Sequence, residues 1–268
     1  MSKQRRRARA AVLLLTALSV GFSAASAAAR AVAPELRSYS TFRPTLEPFG
    51  IGGESLRRGE LLRKWRKVTR ALQTEQRTLA RCREQADSCP PEAKRFLALI
   101  DRALAREGRE RIAEINRAIN LVIRPVDDRT QYGVEEFWAS PLATFAAGAG
   151  DCEDYAIAKY AALREMGVAA DDLRLVVVKD HSARDYHAVA AVRHQGSWLI
   201  LDNRTFGLRE DREIGHFSAM FVLDATSVKH LVAVRAPAPV VDNPRVAQID
   251  ETPDNSPVSN GPTLPYLL

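Results

Sequence analysis

Leu61, Leu62, Trp65, Val68 and Leu72 recur every three or four positions in a stretch rich in Leu, Arg, Ala, Gln and Glu, which predicts a helix within residues 54–86. "SCPPEAKRFLALIDRALARE" (88–107) predicts a second helix with proline in its first turn. Gly108 breaks it, and "RERIAEINRAINLVI" (109–123) predicts a third, with Ile112, Ile115, Ile119 and Val122 on one stripe. "RPVDDRTQYGVEEFWASP" (124–141) is expected to be a loop or series of short turns. A helix then starts at the "GDCED" block and stops at Gly167. Beyond it the period changes. "LRLVVVK" (173–179) is a β-branched run, and "YHAVAAVR" (186–193) and "SWLILD" (197–202) flank the turn "HQG" as a hairpin. "HLVAVRA" (230–236) is a further strand. Helices first, then one helix feeding an antiparallel sheet, is an α+β layout.

The ends differ from this middle. Residues 1–29 combine a basic start, the apolar run "AVLLLTALSVGF" and small residues suited to cleavage, as a secretory signal peptide does. The apolar run is short for a membrane span. The formal net charge of +6 less the five cations Lys3, Arg5, Arg6, Arg7 and Arg9 leaves +1. The arginines of the helical region are interleaved with acids, which argues for solvated faces and against a nucleic-acid surface. Residues 30–53 are expected to form an extended lead-in, and 54–236 the folded domain. Residues 237–268 hold 7 of the 14 prolines and are expected to form a disordered tail. An exported, periplasmic protein is the expectation. In such a compartment Cys82 and Cys89, in "CREQADSC", are positioned to close a short disulfide loop, which leaves Cys152 as the odd thiol.

Cys152 sits at the predicted start of a helix, where the dipole favours a thiolate. Asp151 is the expected N-cap and Asp154 the third helical residue, as in a capping box. Gly148 and Gly150 are expected to permit a tight approach and to leave room for a substrate backbone. Yet three carboxylates beside a thiol oppose its ionisation. A nucleophilic cysteine also needs a base and a group to orient it. His187 on one hairpin strand and Asp202 at the end of the other share a face when paired residue numbers sum to 389 or 391; an even sum separates them. Both faces of these strands are apolar, so alternation does not choose.

The block "FWASP…AGAGDCEDYAIAKYAALREMGV", with "LRLVVVK", "YHAVAAV" and "LILDN", resembles the bacterial transglutaminase-like cysteine proteinases, LapG-type periplasmic proteases among them, over roughly residues 110–205. The resemblance implies a papain/transglutaminase-like core in which a nucleophile helix packs on an antiparallel sheet. It implies a calcium-dependent cysteine endopeptidase with Cys152 as nucleophile, His187 as base and Asp202 as orienting acid. Calcium is implied at Asp151 and Glu153, while Asp154 either caps the helix or joins the metal shell. The implied partners are a large surface adhesin as protein substrate and an inner-membrane cyclic di-GMP receptor as restraint. The chain departs from the family at Ser140, where threonine is expected, and in its Arg-rich helices, Cys pair and Pro-rich tail. Two alternatives stand beside this reading: transglutaminase-type amide transfer, and a non-catalytic exported binding module. A cation at the acidic block would resolve its conflict with the thiol.

Overall fold

The computed structural model describes residues 47–50 and 52–231. The expected signal peptide, most of the lead-in, the end of the 230–236 strand and the Pro-rich tail lie outside the described residues. Among the described residues no helix is long and apolar enough to cross a membrane.

In chain order the regular elements are β1 (Gly53–Ser55), α1 (Glu60–Glu84), α2 (Pro91–Leu104), α3 (Gly108–Val122), β2 (Arg124–Pro125), α4 (Asp128–Tyr132), α5 (Pro141–Ala147), β3 (Ala149–Gly150) and α6 (Cys152–Glu165). They are followed by β4 (Leu173–Asp180), β5 (Asp185–His194), β6 (Ser197–Leu201), β7 (Arg209–Glu210), β8 (Phe217–Leu223) and β9 (Val228–Leu231). The three expected N-terminal helices are α1, α2 and α3. Pro91 opens α2. Gly108 begins α3 in the left-handed region, with φ of 50°, which is why a glycine stands at this break. The expected apolar stripe of α3 ends early: Val122 is exposed, and Ile123 just past the helix is buried instead. Cys82 and Cys89 are bridged, with Cα atoms 4.7 Å apart, and the bridge ties the end of α1 to the approach to α2.

Among the described residues seven strands form one antiparallel sheet in the order β1-β9-β8-β4-β5-β6-β7. Both faces of its centre are apolar. Leu175, Val177, Ala188, Ala190, Leu199 and Leu201 join the core that includes α6, while Val176, Val178, Val189, Ala191 and Ile200 pack on the other side with Phe217 and Val222. α6 is buried almost all round from Glu153 to Leu163, as expected of a helix inside a core rather than on a surface. Trp65 on α1 meets Tyr160 of α6 edge-on at 5.5 Å, and its indole N–H donates to the Asp224 carbonyl beside β8, at 2.7 Å. The N-terminal helices, α6 and the sheet thus share one core.

A two-stranded parallel ladder, β2 with β3, matters most for the site. The Arg124 N–H donates to the Gly148 carbonyl and the Val126 N–H to the Gly150 carbonyl, at 3.0 and 3.1 Å. Pro125 lies between the two donors, where no N–H is needed. This ladder draws the segment expected to be a plain loop, and α4 within it, against the turn that precedes Cys152.

Candidate active site

Cys152 is the first residue of α6 and half-buried. α5 ends in the left-handed residue Gly148, with φ of 63°, and the chain then turns through Gly150 into the helix. The room at Gly150 is not left for a substrate backbone. A Cβ there would lie 2.6 Å from Asp154 Oδ2 and 2.8 Å from Asp154 Cβ, so the glycine makes way for Asp154.

The β5–β6 register pairs Ala190 with Leu201 and Arg193 with Trp198, a sum of 391, so His187 and Asp202 are diagonal neighbours on one face. The His187 Nε2–H donates to Asp202 Oδ1 at 2.8 Å. The other ring nitrogen, Nδ1, is buried with no partner among the described residues and carries the free lone pair of this tautomer. Phe217 stacks edge-on against the imidazole at 5.9 Å. Asp202 also accepts the Arg204 N–H at 2.9 Å, and its carbonyl accepts from Asn120 of α3 at 2.9 Å. Burial acts to raise the Asp202 carboxyl, but the hydrogen bond and charge of His187 outweigh it and hold the group below its ordinary value.

The structure therefore joins His187 to Asp202 and brings Cys152 against β5 at the next residue. Ala188 lies beyond the end of the β5–β6 ladder, and its N–H acts on the cysteine sulfur in favour of the thiolate. The sulfur itself donates to Glu153 Oε2 at 3.2 Å rather than to the imidazole. Burial first, then the charges of Glu153 and Asp151, pushes the Cys152 thiol well above its usual range. The conflict expected between thiol and acids is real in this geometry.

The acids are arranged differently from the sequence expectation. Ligand oxygens of Asp128, Asp151 and Glu153 all lie within 4.8 Å of one another. Asp128, at the start of α4, was not singled out by the sequence. It is nearly inaccessible, and its Oδ2 accepts the Phe137 N–H. Asp151 makes no side-chain cap, which corrects the capping-box expectation; its carboxyl is engaged with Glu153 instead. Asp154 falls outside the group of three. Its Oδ1 accepts the Ala139 N–H at 2.8 Å and pins the 136–140 segment to α6. Trp138, in that segment, is buried in the core, with its indole N–H on Glu136.

Four carboxyl oxygens here are buried without a hydrogen-bond partner among the described residues: Asp128 Oδ1, Asp151 Oδ1, Glu153 Oε1 and Asp154 Oδ2. Burial raises Asp151 to about 6 and Asp154 to about 8, and raises Asp128 and Glu153 as well. Native proteins rarely leave so many buried acceptors unsatisfied in one place. An oxygen-liganded divalent cation fits this donor set, with Asp128, Asp151 and Glu153 as its carboxylates and Asp154 adjoining.

A search of curated protein sequences finds no match. Among solved structures, Legionella pneumophila LapG is similar at 21% identity and a TM-score of 0.47, over 62% of this chain and 86% of that one. Its calcium-bound form gives 23% and 0.49 over 57% and 87%, and its EGTA-treated form 20% and 0.47 over 63% and 89%. The family model for bacterial transglutaminase-like cysteine proteinases matches residues 76–214, more than half of the chain, and the match takes in Cys152, His187 and Asp202. The chain belongs to the bacterial transglutaminase-like cysteine proteinase family and is a cysteine peptidase.

Proposed function

We propose that the protein is a calcium-dependent cysteine endopeptidase that uses Cys152, His187 and Asp202 and works on an exported protein in the periplasm. The observation that carries the catalytic part is the 2.8 Å His187–Asp202 bond, which leaves Nδ1 free on the strand that Cys152 abuts. His187 Nδ1 takes the thiol proton, and the Cys152 sulfur attacks the peptide carbonyl. The resulting oxyanion meets the N-terminus of α6, where the Cys152 N–H is a donor. His187 then returns its proton to the leaving amine as the C–N bond breaks. Water, deprotonated by His187, hydrolyses the thioester and restores the thiol. Asp202 holds the imidazole in the tautomer this requires and stabilises its cationic form.

The acidic group is the reason for the calcium assignment. Asp128, Asp151 and Glu153 would hold the ion, and its charge would offset the carboxylates that oppose a thiolate. A large surface adhesin as substrate and a cyclic di-GMP receptor as restraint rest on the family resemblance. Export rests on the basic and apolar start of the chain.

The test is hydrolysis of a quenched-fluorescence peptide pool. Cleavage is expected with calcium, and neither in the Cys152→Ala variant nor after chelation. A folded Cys152→Ala protein with full activity would end the proposal. Supplying a primary amine with glutamine peptides separates amide transfer from hydrolysis, and hydrolysis is expected.

A further inference from the structure

The chain leaves β6 at Leu201 and runs through 202–208 before β7 begins. This loop is held in two places. From α3, the Asn116 side chain donates to the Thr205 and Phe206 carbonyls at 2.9 and 3.2 Å, and Asn120 donates to the Asp202 and Thr205 carbonyls at 2.9 Å. The second hold is an ion pair with β4. The Arg204 guanidinium donates from Nη1 to Asp180 Oδ2 at 2.7 Å. The Arg204 main-chain N–H donates to Asp202 Oδ1 at 2.9 Å, and this is the oxygen that also accepts from His187. One residue thus grips the triad acid with its backbone and β4 with its side chain.

Asp180 is the last residue of β4 and is 3% exposed. Its two oxygens have separate partners. Oδ1 accepts the Ser182 N–H, the Ser182 hydroxyl and the Ala183 N–H at 2.9, 2.6 and 3.2 Å, which closes the β4–β5 turn locally. Oδ2 is left for the arginine. Burial acts to raise the Asp180 carboxyl, but these hydrogen bonds and the Arg204 charge hold it at about 2, so it stays ionised at neutral pH. In the ladder Asp180 stands directly opposite Asp185, a like-charge pair that a cation on Asp180 relieves. The turn closes without Arg204, and α3 holds the loop without Asp180. What the ion pair adds is a fixed place for the Arg204 N–H, and so for Asp202 Oδ1.

We propose that Asp180 and Arg204 are positioning residues for catalysis: their ion pair fixes the Arg204 N–H on Asp202 Oδ1 and so keeps that carboxylate aligned with the His187 imidazole. Neither residue touches the reacting atoms. Their effect passes through Asp202, whose 2.8 Å bond sets the orientation of the imidazole. A small misplacement of a catalytic group costs rate even when the change that causes it is remote.

The inference rests on the triad assignment, and the tests separate the two. The full-length protein is assayed with calcium present on one cleaved peptide taken from the pool. Arg204→Met and Asp180→Asn are each expected to lower kcat about 10-fold with KM little changed. Asp180→Asn keeps an oxygen for Ser182 and Ala183, so its loss reports the contact with Arg204. The two residues act as one, so the double variant should lose no more kcat than either single. The double variant leaves no charge buried without its partner, and it should melt within about 4 °C of wild type. A second readout needs no activity. The His187 Nε2–H proton, followed by NMR, should exchange with water about 10-fold faster in the double variant. Where a single variant does not fold, the double variant decides by its kcat and its exchange rate. An unchanged kcat or exchange rate in the double variant, or single losses that multiply in it, overturns the inference. A double variant that does not fold makes the pair a structural requirement and overturns it as well. A wild-type protein that cleaves nothing refutes the triad assignment, while exchange at His187 still decides whether the pair positions Asp202.

Discussion

Without the proposed cation, the protein should lose stability as pH rises, an unusual direction for a carboxylate-rich site. The perturbation is metal-free protein, prepared on a chelating resin, compared with the same protein in excess calcium. Asp151 is raised from 3.8 to about 6 and Asp154 from 3.8 to about 8, in each case first by burial. A carboxyl whose folded pKa is raised contributes fully below its unfolded value of 3.8 and loses that contribution as pH climbs through the folded value. For Asp151 the loss is about 3 kcal/mol between pH 4 and 7, at about 1.4 kcal/mol per pH unit. The fully buried Asp154 extends the loss towards pH 9. For a folded region of this size such losses amount to a drop in Tm on the order of 10 °C. A bound cation replaces those protons, so the calcium-loaded protein should show a much flatter profile. The assay is thermal unfolding at pH 5, 6.5 and 8 in both forms. Equal Tm values at pH 5 and 8 without metal, or a calcium effect that does not grow with pH, would refute the reasoning.

Three further outcomes are expected. Gly150→Ala places a Cβ 2.6 Å from Asp154 Oδ2 and should cost about 2 kcal/mol of stability while weakening calcium binding, read by calorimetry. Asn120→Ala removes donors to the Asp202 and Thr205 carbonyls, both at 2.9 Å, and should lower kcat more than it changes KM, with a loss of about 1–2 kcal/mol in Tm-derived stability. Reduction of the Cys82–Cys89 bridge, which spans a separation of 7 residues, should cost about 2 kcal/mol, measured by melting with and without a reductant that leaves calcium bound.

The helices and the central hairpin were legible because their period is strong. Even the parity that joins His187 to Asp202 could be narrowed to two sums, and the structure takes 391, the diagonal one. The chain did not announce α5, because Pro141–Ala147 is too short for periodicity to stand out. It hid β8 for a different reason: Phe217–Leu223 becomes a strand by pairing with β4 and β9, both remote partners. Asp128 was missed because the β2–β3 ladder that brings it to Asp151 is only two residues long. One local sign of its place existed. Asp127 caps α4 through the Thr130 N–H, so "DDRT" marks a helix start with Asp128 in its first turn. Asp154 was ambiguous in sequence because one carboxylate serves two ends: Oδ1 holds Ala139, and Oδ2 faces the Gly150 turn.

The most direct measurement compares the N-termini of the exported proteome in cells carrying the wild-type protein or Cys152→Ala, with calcium present. New N-termini found only with the intact cysteine are expected, and they would identify the substrate. Identical sets of N-termini in the two strains, with both proteins folded and exported, would contradict the assignment of Cys152 as the nucleophile of an endopeptidase.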